Sequence, residues 1–71
     1  MSNLNKQLLK SYIVRYDGNQ HTLAEAMGIG LNTLSAKINQ KGNTFKKDEM
    51  QFIRKRYNIP DKDFVDIFFA D

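Results

Sequence analysis

Apolar residues recur along the chain at steps of three and four, the spacing of one face of an α-helix. The first such series predicts a helix over about residues 4–16. It consists of Leu4, Leu8, Leu9, Tyr12, Ile13 and Tyr16. Asp17-Gly18 ends it, because glycine readily takes the left-handed conformation that closes helices. No alternation of apolar and polar residues extends beyond four positions, so the pattern predicts no β-sheet.

Four further helices are predicted downstream. Asn19 is a favourable N-cap for a helix over about residues 20–27, although a capping box at Thr22-Leu23-Ala24-Glu25 offers a later start that leaves barely one turn. The remaining helices cover about residues 31–40, 47–57 and 62–69. They are separated by breaks at Lys41-Gly42-Asn43 and Asn58-Ile59-Pro60, and Asp61 is the expected cap of the last.

The inward stripes of these helices predict the core. Besides the first series, which includes Tyr12 and Tyr16, the expected core residues are Leu23, Ala24, Met27, Leu34, Ile38, Phe45, Met50, Ile53, Tyr57, Phe64, Ile67 and Phe68. One helix buries only one side, so Phe69 is expected to be exposed. The outer positions Thr33, Ser35 and Lys37 are expected to point away from the core.

A length of 71 residues predicts a single domain over residues 1–71. The expected fold class is therefore all-α, a compact domain of five helices. The chain has no cysteine and one histidine, which excludes disulfides and thiolate metal sites and leaves too few ligands for a histidine-based one.

Positive charge is concentrated in the first 60 residues. They carry ten Lys and Arg against four Asp and Glu, a net +6, whereas residues 61–71 carry one Lys against four Asp, a net −3. A basic surface suits a polyanionic partner such as nucleic acid, but it also suits a merely solvated surface. Arg54-Lys55-Arg56 has the same two interpretations, because basic residues are favoured at helix C-termini. The acidic end is either a solvated face or a contact for a basic protein surface.

Several classes of protein are not expected. The longest apolar run, Ile67-Phe68-Phe69-Ala70, is far shorter than the roughly 20 residues that span a bilayer, and the polar N-terminal residues predict no signal peptide. There is no nucleophile elbow and no carboxylate pair in an apolar setting. Gly28-Ile29-Gly30 is not a phosphate loop, because it lacks the later glycine and follows a helix. The sequence predicts no enzyme, cofactor, metal or small-molecule substrate.

The segment over residues 20–35 is the most informative one. It combines a helix of about two turns, a turn at Gly28, and a second helix that opens with small or polar residues. Ala24 permits a close helix crossing, and Gly28 permits a positive φ. The side chains left facing outward are Leu31, Asn32, Ser35 and Ala36. This arrangement is typical of a helix-turn-helix, which presents its second helix to the DNA major groove.

The stretch Leu23-Ala24-Glu25-Ala26-Met27-Gly28-Ile29-Gly30, followed by Thr33-Leu34-Ser35, resembles the phage-repressor-like family of the Cro and lambda-repressor type. Similarity to short phage regulators extends to residues 34–39, Phe45 and Ile67-Phe68-Phe69, and so covers about residues 4–69. The resemblance implies a five-helix lambda-repressor-like domain in the cytoplasm of a bacterial host. It also implies a Cro-like role in a lysis–lysogeny switch, double-stranded operator DNA as ligand, and a homodimer.

The resemblance also implies roles for single residues. Leu31, Asn32 and Ala36 fall at base-reading positions, with Ser35 beside them. Asn pairs with adenine, and Leu or Ala contacts a thymine methyl group, so the chemistry agrees in part. The residues that fall at DNA phosphate positions are Gln20, Lys37, Asn39 and Lys41.

Two departures from the family pattern leave alternatives open. Gly30 stands where a capping Ser or Thr is usual, and Leu31 and Ala36 cannot hydrogen-bond to bases. Either DNA shape and a dimer supply specificity, or this surface binds something else. The alternative function is an antirepressor or modulator that binds a cognate phage repressor. A weaker one is the antitoxin of a toxin–antitoxin pair.

Overall fold

The computed structural model describes residues 4–69, and all of their regular structure is helical. The helices are α1 (Lys6–Asp17), α2 (Gln20–Met27), α3 (Leu31–Ile38), α4 (Lys47–Tyr57) and α5 (Asp61–Phe68). The predicted all-α class with five helices is confirmed. They pack into a body of 28 × 27 × 20 Å, in which α1 contacts α2 and α5, and α2 contacts α3. None of these five helices has the length and apolar character needed to cross a membrane.

The beginning of α1 lies two residues later than the predicted one. The Asn5 carboxamide accepts a hydrogen bond from the Leu8 N–H at 3.2 Å, so Asn5 is the N-cap and Leu4 precedes the helix. The Asn5 N–H donates to the Ile67 carbonyl at 2.7 Å, which ties the start of α1 to α5. The predicted bounds of α2 and α4 agree with the structure, and Asn19 caps α2 as expected, accepting from the Thr22 N–H at 2.9 Å.

Other boundaries also differ from the prediction: α1 ends one residue later, at Asp17, and α5 one residue earlier, at Phe68. α3 ends at Ile38, because Gln40 takes a left-handed conformation (φ 55°) and the Lys41 N–H donates to the Ala36 carbonyl at 2.9 Å, which closes the helix. α5 begins at Asp61 rather than after it. Pro60 is its N-cap, so Asp61 is the first helical residue and not the cap.

One core lies between the five helices, and most predicted core positions are confirmed. Its buried members are Leu9, Tyr12, Ile13, Leu23, Ala24, Leu34, Ile38, Phe45, Ile53, Tyr57, Ile59, Phe64, Ile67 and Phe68. Met27 and Met50 are half-buried against it, and Phe69 is exposed as expected. The prediction for Tyr16 was wrong, because its side chain is 55% exposed. It lies in the last turn of α1 and stacks on the edge of the core, 5.5 Å from the Tyr57 ring.

The C-terminal ends of α1 and α4 are joined by a polar cluster. The Arg56 guanidinium donates to both oxygens of the Asp17 carboxylate at 2.8 and 3.0 Å, and the Tyr57 hydroxyl donates to the same carboxylate. A carboxylate in the last turn of a helix opposes the helix dipole, so these donors offset an unfavourable position. The hydrogen bonds from Arg56, with a smaller effect of Tyr57, hold the pKa of Asp17 below its ordinary value of 3.8 despite its burial.

Asp17 is expected to make stability depend on acid pH. Its folded-state pKa is lowered, so its contribution is complete above the unfolded-state pKa and is lost as pH falls through the folded-state one. Asp17→Asn should lower the free energy of unfolding by about 1–3 kcal/mol at neutral pH, and the difference from the natural chain should shrink between about pH 5 and pH 2. Urea unfolding at several pH values measures this.

Asp66→Asn is the matched control for that experiment, because it removes an exposed α5 carboxylate that makes no ion pair within residues 4–69. The control should unfold like the natural chain across the same pH range. An Asp17→Asn variant whose deficit is the same at every pH would show that the ionised carboxylate is not what stabilises the cluster.

Candidate nucleic-acid interface

A glycine corner connects α2 to α3. Gly28 closes α2 in the left-handed conformation (φ 73°, ψ 27°), and the Ile29 N–H then donates to the Ala24 carbonyl at 3.0 Å. A Cβ built on Gly28 would meet no atom within 4 Å, so the need for glycine here comes from the backbone and not from packing. Only Gly28, Ile29 and Gly30 separate the two helices, so α3 starts close to the end of α2.

The orientation of α3 is determined by what it buries. Leu34 and Ile38, one turn apart, enter the same core as Leu23 and Ala24 of α2. At 100° per residue, the side of α3 opposite Leu34 and Ile38 carries Asn32 and Ala36. Asn32 and Ala36 therefore lie on the outer side of the corner, whereas Leu31 shares the side of Leu34 and Ile38 and is exposed at the first turn of the helix.

The four outward residues of α3 differ in exposure. Leu31 is 43% exposed, Asn32 is exposed, and Ser35 and Ala36 are half-buried. The Asn39 side-chain amide donates to the Ser35 carbonyl at 3.0 Å and reaches the Ser35 hydroxyl at 3.4 Å. Within residues 4–69 the Asn32 carboxamide makes no hydrogen bond. Asn32 is thus the outward side chain with polar groups still available to a ligand.

The structure corrects the prediction for Lys37. This residue does not point away from the core but is only 5% exposed, and its ammonium group donates to Glu49 at 3.1 Å and to the Thr44 carbonyl at 3.2 Å. Glu49 also accepts from the Lys46 N–H at 2.8 Å, so one carboxylate joins the end of α3 to the start of α4. An ammonium group held in this way is unsuited to a DNA phosphate. Lys37 has a structural role instead.

The other predicted phosphate residues lie at two ends of α3. Gln20, half-buried at the start of α2, lies near the N-terminal end of α3. Asn39 and Lys41 are exposed beyond the C-terminal end of α3. Gly30 begins α3 without a side-chain hydrogen bond, as the sequence suggests.

A groove of about 430 Å³ adjoins the N-terminal end of α3. Val14 of α1, which is 63% exposed, and Leu31 of α3 both line the groove. Lys10, Gln20 and His21 also line the groove. Sequence reasoning did not include Lys10 and Val14 in the site. Their spacing of four puts them on one face of α1, but periodicity alone does not say which helix that face approaches.

The ion pairs divide the basic residues into two groups. Arg54, Arg56 and Lys37 are bound to Asp61, Asp17 and Glu49, whereas Lys10 and Lys41 make no ion pair within residues 4–69. Of the two interpretations of Arg54-Lys55-Arg56, binding to a polyanion is weakened, because the guanidinium groups of Arg54 and Arg56 already hold carboxylates. At the acidic end, Asp61 and Asp63 are bound to Arg54 and Tyr12, and Asp71 lies outside the described residues.

Interior chemistry does not suggest another site. Within residues 4–69, every buried side-chain nitrogen and oxygen has a hydrogen-bond partner, and no cluster of three metal-ligating side chains occurs.

Comparisons with protein-family models, with curated proteins and with solved structures find no match to this chain. The candidate site therefore rests on its own geometry: the outward face of α3, the adjoining groove, and Lys10 and Lys41 at either end.

Lys37→Ala is expected to destabilise the protein by about 3 kcal/mol, because it leaves Glu49 without its cation and frees the α3–α4 loop. Lys41→Ala is the matched control: it also removes a lysine near the end of α3, but an exposed one, and should change stability by less than about 0.5 kcal/mol. Thermal and urea unfolding measure both. Equal stability of the two variants would contradict a structural role for Lys37.

Proposed function

We propose that the protein is a small helix-turn-helix transcriptional regulator of the phage-repressor-like type, which binds operator DNA through α3. The observation that carries the proposal is the outward face of α3, Leu31, Asn32, Ser35 and Ala36, held at a glycine corner against α2. A helix-turn-helix has two short helices meeting in this way, and the second enters the major groove. Eight residues make a helix about 12 Å long, similar to the width of that groove.

The charge distribution supports the same orientation on DNA. With α3 in the major groove, Lys10 and Gln20 lie near one end of the helix and Lys41 near the other, where the two phosphate backbones pass. Such contacts supply most of the affinity without reading sequence. A bound copy would cover a promoter and exclude polymerase or a competing repressor. The resemblance to short phage regulators adds a Cro-like role in a lysis–lysogeny switch to the proposal.

The sparse polar chemistry of α3 favours two copies on one operator. A good bidentate base contact is worth about 1–3 kcal/mol of discrimination, and Asn32 is the main candidate for one. Specific sites are typically bound about 4–10 kcal/mol more tightly than non-specific DNA. One copy with one such contact falls short of that difference, whereas a homodimer on a palindromic operator makes the contact twice, for about 2–6 kcal/mol. The two α3 helices would then lie about 34–36 Å apart.

Asn32→Ala is expected to weaken binding to the preferred duplex, selected from a random-sequence library, by about 1–3 kcal/mol, because it removes a base contact. Its binding to unrelated duplexes should hardly change. Lys41→Ala should weaken binding to every duplex and reduce the salt-dependence slope by about 1, because it removes a phosphate contact. Fluorescence anisotropy titrations over a range of salt concentrations measure both effects.

Lys62→Ala is the matched control, because Lys62 is also exposed but lies on α5. It should bind DNA like the natural chain. Losing as much affinity in Lys62→Ala as in Lys41→Ala would argue for diffuse charge attraction. Absence of binding to any duplex at low ionic strength would reject the proposal.

A second candidate function is a modulator that binds a cognate repressor protein and alters its DNA binding. The observation that favours it is the apolar character of the groove, which the exposed side chains of Val14 and Leu31 both line. Protein interfaces have apolar anchors at their centre, whereas DNA interfaces are polar and basic. The exposed Asp66 of α5 is available to a basic DNA-binding surface.

Co-expression with a repressor encoded beside the gene tests this candidate. If Leu31 is the anchor, Leu31→Glu should abolish co-purification, because it brings a charge into the centre of the interface. Val65→Glu is the matched control, because Val65 is a comparably exposed apolar residue on α5. A complex that survives Leu31→Glu would exclude α3 as the anchor.

A further inference from the structure

The hydrogen-bonding groups that α3 offers to a ligand are few: the carboxamide of Asn32 and the hydroxyls of Thr33 and Ser35. Ser and Thr hydroxyls do not discriminate between bases, so the carboxamide is the group that can select one. Asn32 has an exposed carboxamide, whereas the Ser35 hydroxyl is half-buried and in contact with Asn39. Arginine and lysine are the usual readers of guanine. α3 has no arginine, and its lysine, Lys37, is buried against Glu49. The face therefore lacks a guanine-reading group.

A carboxamide and apolar side chains together match one base pair. In the major groove, Asn pairs with N6 and N7 of adenine, and the thymine 5-methyl is the apolar group on the base edges. Asn32 has apolar neighbours: Ala36 one turn further on along the same face, and Leu31, exposed beside it at the first turn of the helix. The carboxamide donates to N7 and accepts from N6 of one adenine at the same time, which guanine, with two acceptors, and cytosine, with one donor, do not allow.

The groove beside Leu31 gives a thymine methyl group a place to be buried. Its walls carry Val14 and Leu31, and Ile13 also lines it. Lys10 of α1 lines it too, and so does His21 in the first turn of α2, whose imidazole is 3.1 Å from the Glu25 carboxylate. The positive charge of Lys10 beside an apolar opening is complementary to a thymidine, which presents a methyl group and a neighbouring phosphate.

We infer that this surface recognises A·T base pairs in the major groove, with Asn32 on adenine and Leu31, backed by Val14, on the thymine 5-methyl group. The inference rests on the proposed DNA-binding function and deepens it by naming the base pair. It assigns sequence specificity to Leu31, the exposed apolar residue that otherwise favours a protein partner.

The test compares three alternating duplexes: adenine–thymine, adenine–uracil, which lacks only the 5-methyl group, and guanine–cytosine. The natural chain should bind them in that order. Loss of one buried methyl contact corresponds to about a 4-fold weaker affinity. Loss of the adenine contact corresponds to about 5- to 150-fold. Anisotropy titrations at one low ionic strength give the three affinities.

Variants assign the preference to residues. Leu31→Ala should bind the thymine and uracil duplexes equally, whereas Leu31→Met, which keeps an apolar contact, should retain the difference. Val65→Ala, on α5, is the matched control and should behave like the natural chain. Circular dichroism checks that each variant keeps its helices.

Two outcomes separate failure of the inference from failure of the proposed function. Equal binding of the natural chain to all three duplexes overturns A·T recognition and leaves DNA binding in place. Binding to none of them, nor to mixed-sequence duplex DNA, overturns both. In that second case, a repressor complex that is lost in Leu31→Glu assigns the groove to a protein partner.

Discussion

The candidate surface depends on the burial of Leu34 and Ile38 against Leu23 and Ala24. These contacts use the inner side of α3 and thereby decide which residues remain outside. Truncation of a fully buried leucine such as Leu34 typically costs about 2–5 kcal/mol, a large part of the stability of so small a domain. Gly28 permits this packing, because its left-handed backbone lets α3 start within three residues of the end of α2.

The basic side chains fall into two groups: some join helices through ion pairs, and the others are exposed to solvent. Lys37, Arg54 and Arg56 join α3 to α4, α4 to α5, and α4 to α1 through carboxylates. The three basic residues in these ion pairs are already bound to carboxylates, although a simple count of charges would include them in the basic surface. What is left for a polyanion is a smaller set of lysines, two of which, Lys10 and Lys41, flank α3. Net charge therefore overstates the basic surface of this protein, while the positions of the unpaired lysines support DNA as the proposed ligand.

The chemistry of α3 also explains why its ligand is not obvious. One carboxamide between apolar side chains is a modest set of base-reading groups, and an apolar groove beside it suits a protein as well as a thymine methyl. The two proposed functions share Leu31 and differ in what that residue meets. Asn32 discriminates between them physically, because adenine uses both groups of its carboxamide, whereas an apolar anchor needs neither.

The amino-acid sequence by itself determined the five helices, the caps at Asn19 and Gly28, and nearly all of the core, because these depend on local periodicity and backbone preference. The tertiary structure alone decided that Lys37 is buried, that Tyr16 is exposed, and that Lys10 and Val14 line the same groove as Leu31. Periodicity shows which side of a helix is apolar, but not which neighbour it faces. A lysine on the boundary of a helix face becomes buried only where another helix supplies a carboxylate, as α4 does with Glu49.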